Sequence, residues 1–229
     1  MTDAPSNEPH VSDLYLYPIK GCSGVKPDSL EIGPAGVAGD RRWMLVDDTG
    51  EFLSQREIPE LARFRAAPTD GGVRVERRAL DGASSEAATF AHPADGEPVE
   101  VRIWGDEERV RTSADGSAWF REHLDRPVRL VWMPEPARPV DEESDGVVAF
   151  HDAFPALIIS EASLAGLNAR LDDPIPMDRF RPTLVIDGVE AHAEDSPATL
   201  ETGELRWEAG EPCTRCVVTT VDQDRGVKR

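Results

Sequence analysis

Residues 11–17, VSDLYLY, alternate apolar and polar side chains and stop at Pro18. A period of two predicts a strand with one buried face. In residues 41–55, RRWMLVDDTGEFLSQ, two apolar runs flank Asp48-Thr49-Gly50, the pattern of a β-hairpin. Shorter strands are expected near 72–77, 98–103 and 107–111. Residues 114–124, ADGSAWFREHL, set Trp119, Phe120 and Leu124 on one helical face, and VRLVWM at 128–133 returns to a strand. Residues 134–146, PEPARPVDEESDG, are rich in proline and acid and read as a linker or exposed loop. After them, ALIISEASLAGLNARL predicts a buried strand leading into a helix capped by Ser160, with Leu164, Leu167 and Leu171 toward the core. PTLVIDG and GELRWEAG predict further strands, and so does the β-branched run Val217 to Val221. No repeat of 20 to 50 residues is present. Many short strands and few helices give a β-rich, mixed α+β class with barrel-like architecture. The expected organisation is a disordered tail at 1–10, a first domain at 11–133, the loop at 134–146 and a second domain at 147–229.

Charge narrows the picture. Lysine and arginine total 25 against 44 aspartates and glutamates, a formal charge of −19. Only Lys20, Lys26 and Lys228 are lysines. Such an acidic, lysine-poor surface suits a halophilic source, where the Debye length falls to roughly 3 Å near 1 M salt. A melting series in KCl tests this expectation, and equal stability at low salt would count against it. The balance excludes a basic nucleic-acid footprint. No apolar run reaches the ~18 residues of a membrane span, and the polar start lacks a secretory pattern. The expectation is a cytoplasmic protein without nucleic-acid or membrane partners.

The cysteines are Cys22, Cys213 and Cys216, an odd count that favours reduced thiols. In EPCTRCVVTTVD, Cys213 and Cys216 stand three apart. Structural zinc takes four ligands, and this chain offers one such pair. A thioredoxin-like pair opens a helix, whereas here a strand is expected to follow. Arg215 between the thiols can stabilise a thiolate, which fits a nucleophile or a soft-metal ligand. Small buried hydrophobes and an incomplete zinc site remain open on spacing alone.

Six motifs occur in order: LYLYPIKGCSGV, GDRRWMLVDDTGEFLSQRE, LIISEASLAGLNARL, RFRPTLVIDG, AEDS and PCTRCVVTTVDQDRG. Together they resemble the MOSC family (molybdenum cofactor sulfurase C-terminal domain) preceded by its N-terminal β-barrel domain. Within it they resemble the mitochondrial amidoxime reducing components and their bacterial counterparts. The resemblance implies a molybdenum–pyranopterin cofactor with Cys216 as metal ligand and Cys213 in support. It implies that Lys20, Arg41 and Arg181 hold the cofactor's anionic end. Gly21 stands where relatives have a serine beside the lysine, and Thr183 where they have an asparagine. Asp152 aligns with an aspartate near the pterin, following His151. Asp195 lies close to the metal by the same resemblance, as proton donor or orienting group, and Arg215, beside the thiols, is counted with the cofactor-binding residues. The implied activity is reduction of N-hydroxylated or N-oxygenated small molecules; the other form the family takes is a cofactor or sulfur carrier. No further cysteines are present for an iron–sulfur cluster, so electrons are expected from a separate ferredoxin, flavodoxin or cytochrome-type protein. Relatives continue past the metal-binding motif, so the last barrel strands are expected to be missing from a chain ending at Arg229.

Overall fold

The computed structural model describes residues 8–80, 85–136, 138–140, 146–196, 199–208 and 210–229. The expected tail falls mostly at 1–7, and much of the expected loop at 137 and 141–145, outside the described residues.

The strand Trp43–Val46 explains the first core. All four residues are buried. Trp43 and Leu45 enter one apolar cluster with Ile19, Phe64 and Phe120, while Met44 and Val46 enter another with Val101, Val131 and Phe150. A strand covered on both faces needs a continuous apolar run, which is what WMLV supplies. The strand is second in a five-stranded antiparallel sheet, in the order Phe52–Leu53, Trp43–Val46, Arg129–Trp132, Asp106–Ser113, Pro98–Ile103. Its two outer strands approach each other: Arg102 N donates to Gly50 O at 2.8 Å, and Glu51 bridges Arg102. The sheet therefore curls toward closure, as the barrel-like expectation requires. The hairpin turn forms where the sequence placed it. Asp47 Oδ1 accepts from Thr49 N at 2.8 Å and Glu51 N at 3.0 Å, and Gly50 sits at φ +84°.

A second antiparallel sheet, Phe64–Thr69, Gly72–Arg77 and Glu86–Ala91, covers one face of the first cluster. Helix α1, Ala114–Leu124, closes that cluster. Ser113 caps it by accepting from Gly116 N at 3.3 Å, and Phe120 and Leu124 are buried as the pattern predicts. Gly116 lets the helix approach the sheet, since a Cβ there would lie 2.5 Å from Leu130 Cδ2. Burying Phe120 contributes about 1.5–3 kcal/mol.

The third sheet joins distant parts of the chain. His10–Leu14 runs antiparallel to Leu184–Asp187, which runs parallel to Ile158–Ser160. The first strand thus completes a sheet built from the last third of the chain, across the 134–146 loop. Helix α2, Glu161–Asn168, connects the parallel pair, and Ser160 caps it by accepting from Ser163 N at 3.0 Å. The leucine stripe does not reach the core. No residue of α2 is buried, and Leu167 and Leu171 are 36% and 38% exposed. Leu167 is exposed within the helix, and the Asn168 side chain holds both N and O of Ile175 where the helix stops before Leu171.

The β-branched run after Cys216 also departs from expectation. Val217–Thr220 is a 3-10 turn, and only Val221–Asp222 pairs as a strand, with Val227–Lys228. Thr219 Oγ1 donates to Cys216 O at 3.0 Å and Thr220 Oγ1 to Val217 O at 2.8 Å. Hydroxyls that bond nearby carbonyls compete with a ladder, and here they win. Among the described residues, Thr199–Thr202 and Leu205–Glu208 form a further hairpin, and no helix is long and apolar enough to cross a membrane.

Candidate functional site

The loop 18–22 sets Lys20 inward. Its N donates to Trp43 O at 2.8 Å, and Gly21 at φ +85° turns the chain. A Cβ on Gly21 would lie 3.2 Å from Leu61 Cδ1 and 3.4 Å from Ser54 Cα, so glycine fits a turn that a larger residue would strain. Lys20 Nζ is buried, donates to Phe150 O at 2.8 Å and pairs with Asp152. Burial lowers its pKa to about 8, although Asp152 pulls the other way. Burial would raise the Asp152 carboxyl, but Lys20 and the Trp104 indole outweigh it and hold it at about 2. Trp104 sits at a hairpin tip with φ +54°, donates Nε1–H to Asp152 at 3.1 Å, and carries the Arg56 guanidinium 4.7 Å above its ring.

A second group centres on Tyr17. The guanidinium carbons of Arg41 and Arg181 lie 4.7 and 4.3 Å from the same ring. Arg41 pairs with the buried Asp40 and reaches Arg181 O at 3.4 Å; Arg181 Nη1 donates to Cys22 O at 2.7 Å. Asp40 also accepts from Tyr17 N at 2.7 Å and contacts His151 Nε2 at 3.1 Å. Burial pushes the Asp40 carboxyl up, but Arg41, His151 and the Tyr17 N–H together bring it below its ordinary value. Burial also lowers the His151 imidazolium and the Arg181 guanidinium. Two neighbouring charge groups result, Lys20 with Asp152 and the Arg41–Arg181 pair with Asp40. Two buried atoms among them, Tyr17 Oη and His151 Nδ1, have no hydrogen-bond partner among the described residues.

Backbone strain marks the same place. The non-glycine residues at positive φ among the described residues are Arg41, Trp104, Asp125, Arg181 and His192. Asp125 ends α1. Arg41, Trp104 and Arg181 belong to the two groups above, and His192 adjoins Asp195. Such positions cost of order 1–3 kcal/mol and gather at functional sites.

The other expected residues are placed differently. Thr183 is buried, and its hydroxyl accepts from Leu157 N at 3.2 Å, aligning two segments behind Arg181. Arg215 attends Cys213, not Cys216: Nη1 lies 3.0 Å from Cys213 Sγ, and Nη2 donates to Phe180 O at 2.6 Å. Cys216 is exposed and its sulfur has no hydrogen-bond partner among the described residues. The turn Val217–Thr220 packs against the turn Met177–Arg179, next to Phe180 and Arg181. Asp195 is exposed and pairs with His192 at 3.0 Å; among the described residues no hydrogen bond joins it to either thiol. Cys22 is buried, and burial pushes its thiol up to about 12, so it is inert. The strand expected directly after Cys216 gives way to a 3-10 turn, so it no longer argues against a thioredoxin-like pair. Against zinc stands the donor set: no three His, Cys, Asp or Glu side chains converge among the described residues.

The sequence reading passed over Tyr17, Asp40 and Trp104. Asp40 stood in plain view beside Arg41 in GDRRW, and Trp104-Gly105 marks a hairpin tip with an aromatic at its apex.

Known proteins bear on this geometry. A family model described as the MOSC N-terminal beta barrel domain matches residues 8–127, and one described as the MOSC domain matches residues 145–229. Mitochondrial amidoxime reducing component 2 of Bos taurus is 30% identical over 95% of this chain and 68% of its own length. Mitochondrial amidoxime-reducing component 1 of Homo sapiens is 31% identical over 95% of this chain and 67% of its own. The molybdenum cofactor sulfurase of Oryza sativa subsp. japonica is 29% identical over 95% of this chain and 29% of its own. The names of the first two correct the cytoplasmic expectation, because they point to mitochondria. With both family models matched in order across nearly its whole length, the chain belongs to the MOSC family, a MOSC N-terminal β-barrel domain followed by a MOSC domain.

Proposed function

We propose that this chain is a molybdenum-cofactor-dependent oxidoreductase that reduces N-hydroxylated or N-oxygenated small molecules. The observation that carries the reading is the placement of Arg41 and Arg181 on the Tyr17 ring, with Lys20 buried beside Asp152, near the turn that begins at an exposed Cys216. The residues present fit the cofactor's anionic end. Two guanidinium forks and an ammonium offer charge, and the unpartnered Tyr17 Oη and His151 Nδ1 offer hydrogen bonds. Gly21 keeps the Lys20 turn tight, and Asp152 with Trp104 holds the ammonium in place. A soft thiolate at Cys216 suits a molybdenum that already carries sulfur ligands. When bound, the cofactor supplies the two-electron chemistry.

The net reaction takes an N–OH compound, two electrons and two protons to the N–H compound and water. The exposed Asp195–His192 pair can relay protons from solvent. Cys213, held by Arg215, positions the loop that presents Cys216. Thr183 acts through the Leu157 junction that carries Arg181. Electrons come from a separate donor protein. The names of the amidoxime reducing components support the reading.

The test is metal analysis of protein made in a cofactor-competent host, together with turnover of an amidoxime driven by reduced viologen. Molybdenum and turnover are both expected in the wild type and lost in Cys216→Ala. Equal molybdenum in the two proteins would remove Cys216 as ligand. The similarity to a molybdenum cofactor sulfurase over 95% of this chain supports a second reading, a cofactor carrier. Bound molybdenum without turnover of any N-oxygenated compound would favour it.

A further inference from the structure

The thiol segment keeps its place without a ladder. Residues 210–216 are exposed throughout, and none from Gly210 to Arg215 makes a backbone–backbone hydrogen bond among the described residues. Two side-chain grips hold it. At one end, Arg215 Nη2 donates to Phe180 O at 2.6 Å, and its guanidinium carbon lies 5.7 Å from the Phe180 ring. At the other end, the tip of the Phe154 ring meets Gly210. A Cβ on Gly210 would lie 2.8 Å from Phe154 Cε1 and Cζ and 3.1 Å from Cε2, so a glycine admits the ring where a side chain would push it away.

Phe154 stands on a well-held segment. Phe150 N donates to Arg41 O at 3.0 Å, and Leu157 O accepts from Thr183 N at 2.8 Å and Leu184 N at 3.1 Å. Between them, Pro155 packs on the Gly36 turn, where a Cβ would lie 2.5 Å from Pro155 Cβ. Residues 210–215 have no such support. Water satisfies their exposed amides as well in other conformations, so what they lean on decides where they stay. Both grips are rooted beside the charge groups. Phe154 follows Asp152, the partner of Lys20, by two residues, and Phe180 precedes Arg181.

We propose that Phe154 is a positioning residue: its ring holds the thiol segment at Gly210 and so keeps Cys216 toward the groups that answer the cofactor's anionic end. This rests on the reading of Cys216 as metal ligand. The ring acts through the backbone of the segment.

The test is limited trypsin digestion of the full, cofactor-free chain, with the cut after Arg215 followed by mass spectrometry. Cleavage tracks the population of the opened segment. Phe154 is 38% exposed, so Phe154→Ala is expected to fold. It should speed the cut after Arg215 about tenfold, the scale of one lost apolar contact, while the cut after the exposed Arg170 keeps its wild-type rate. Phe154→Leu keeps an apolar side chain toward Gly210 and should retain most of the protection. An unchanged cut after Arg215 in Phe154→Ala would overturn the proposal, and so would equal acceleration at both arginines, the mark of general loosening. If Phe154→Ala does not fold, Gly210→Asp decides, because it leaves the ring in place and drives the segment off it. An unchanged cut after Arg215 in that variant would overturn the grip. Molybdenum content of Phe154→Ala made in a cofactor-competent host is expected to fall severalfold; faster cleavage with full molybdenum would overturn the positioning role. The digestion needs no cofactor, so failure of the Cys216 assignment, read from Cys216→Ala, leaves its result standing.

Discussion

The Tyr17 cluster and the thiol segment 211–216 are neighbours built on opposite principles. Around Tyr17, each charged side chain is fixed by several partners: Asp40 alone engages Tyr17 N, Arg41 and His151. Around Cys216 the chain is exposed, and the sulfur is bound by nothing described. One region fixes its charges through many partners, and the other leaves a thiol without a hydrogen-bond partner among the described residues; under the proposed function the first would hold an anion and the second a metal. Preorganisation costs stability, because three cations are buried together. A free thiol costs almost none. The difference teaches that stability measurements will see the first region and scarcely notice the second.

That contrast sets the predictions. Asp40→Ala should have the largest effect. It removes the counter-charge from a buried Arg41 and should cost about 3–5 kcal/mol in urea unfolding. A loss under about 0.5 kcal/mol would break the claim that this cluster is held together electrostatically. Arg181→Ala comes next. It loses the bond to Cys22 O and the contact with the Tyr17 ring, and should cost about 1–3 kcal/mol, offset in part by relief of crowding with Arg41. The same variant should bind inorganic phosphate more weakly in equilibrium dialysis, whereas a purely structural arginine would leave that binding unchanged.

The third prediction uses pH. The Lys20 value of about 8 in the folded protein lies below its ordinary 10.5. Its buried charge therefore opposes folding below pH 8, and that penalty is relieved as pH rises from about 8 toward 10.5. Anion binding runs the other way, since it needs the ammonium. Phosphate affinity should fall as pH passes through about 8. Lys20→Met should flatten the part of this dependence that phosphate's own titration does not explain; an unchanged profile would detach Lys20 from the anion. Asp152 has the opposite sign. Its stabilising contribution is present above pH 3.8 and lost as pH falls through about 2, and it is modest because the side chain is 61% exposed. The smallest stability effect belongs to Cys216→Ala, within about 0.5 kcal/mol. A larger loss would mean that the thiol segment is packed, and the comparison between the two regions would fail.

Much of the first sheet was legible. Trp43–Val46 is apolar at every position because both of its faces are covered, and Ser113 and Ser160 announce the helices they cap. The thiol segment misled. Valine and threonine favour strands on average, but Thr219 and Thr220 spent their hydroxyls on carbonyls three residues back. The stripe of Leu164, Leu167 and Leu171 misled because α2 buries none of its residues and ends at Asn168 before Leu171.

The sequence by itself determined what depends on near neighbours: the hairpin at Asp47–Gly50, the helix caps, the paired thiols and the motifs that carry the family. Only the tertiary structure decided the site. Asp40 meets His151 across 111 residues, Lys20 meets Asp152 across 132, and Arg41 meets Arg181 across 140. No local pattern records such meetings. They exist because the His10–Leu14 strand pairs with Leu184–Asp187 and the Phe150–Asp152 segment lies on Arg41, whose carbonyl accepts from Phe150 N at 3.0 Å. Burial then fixes which charges must be answered.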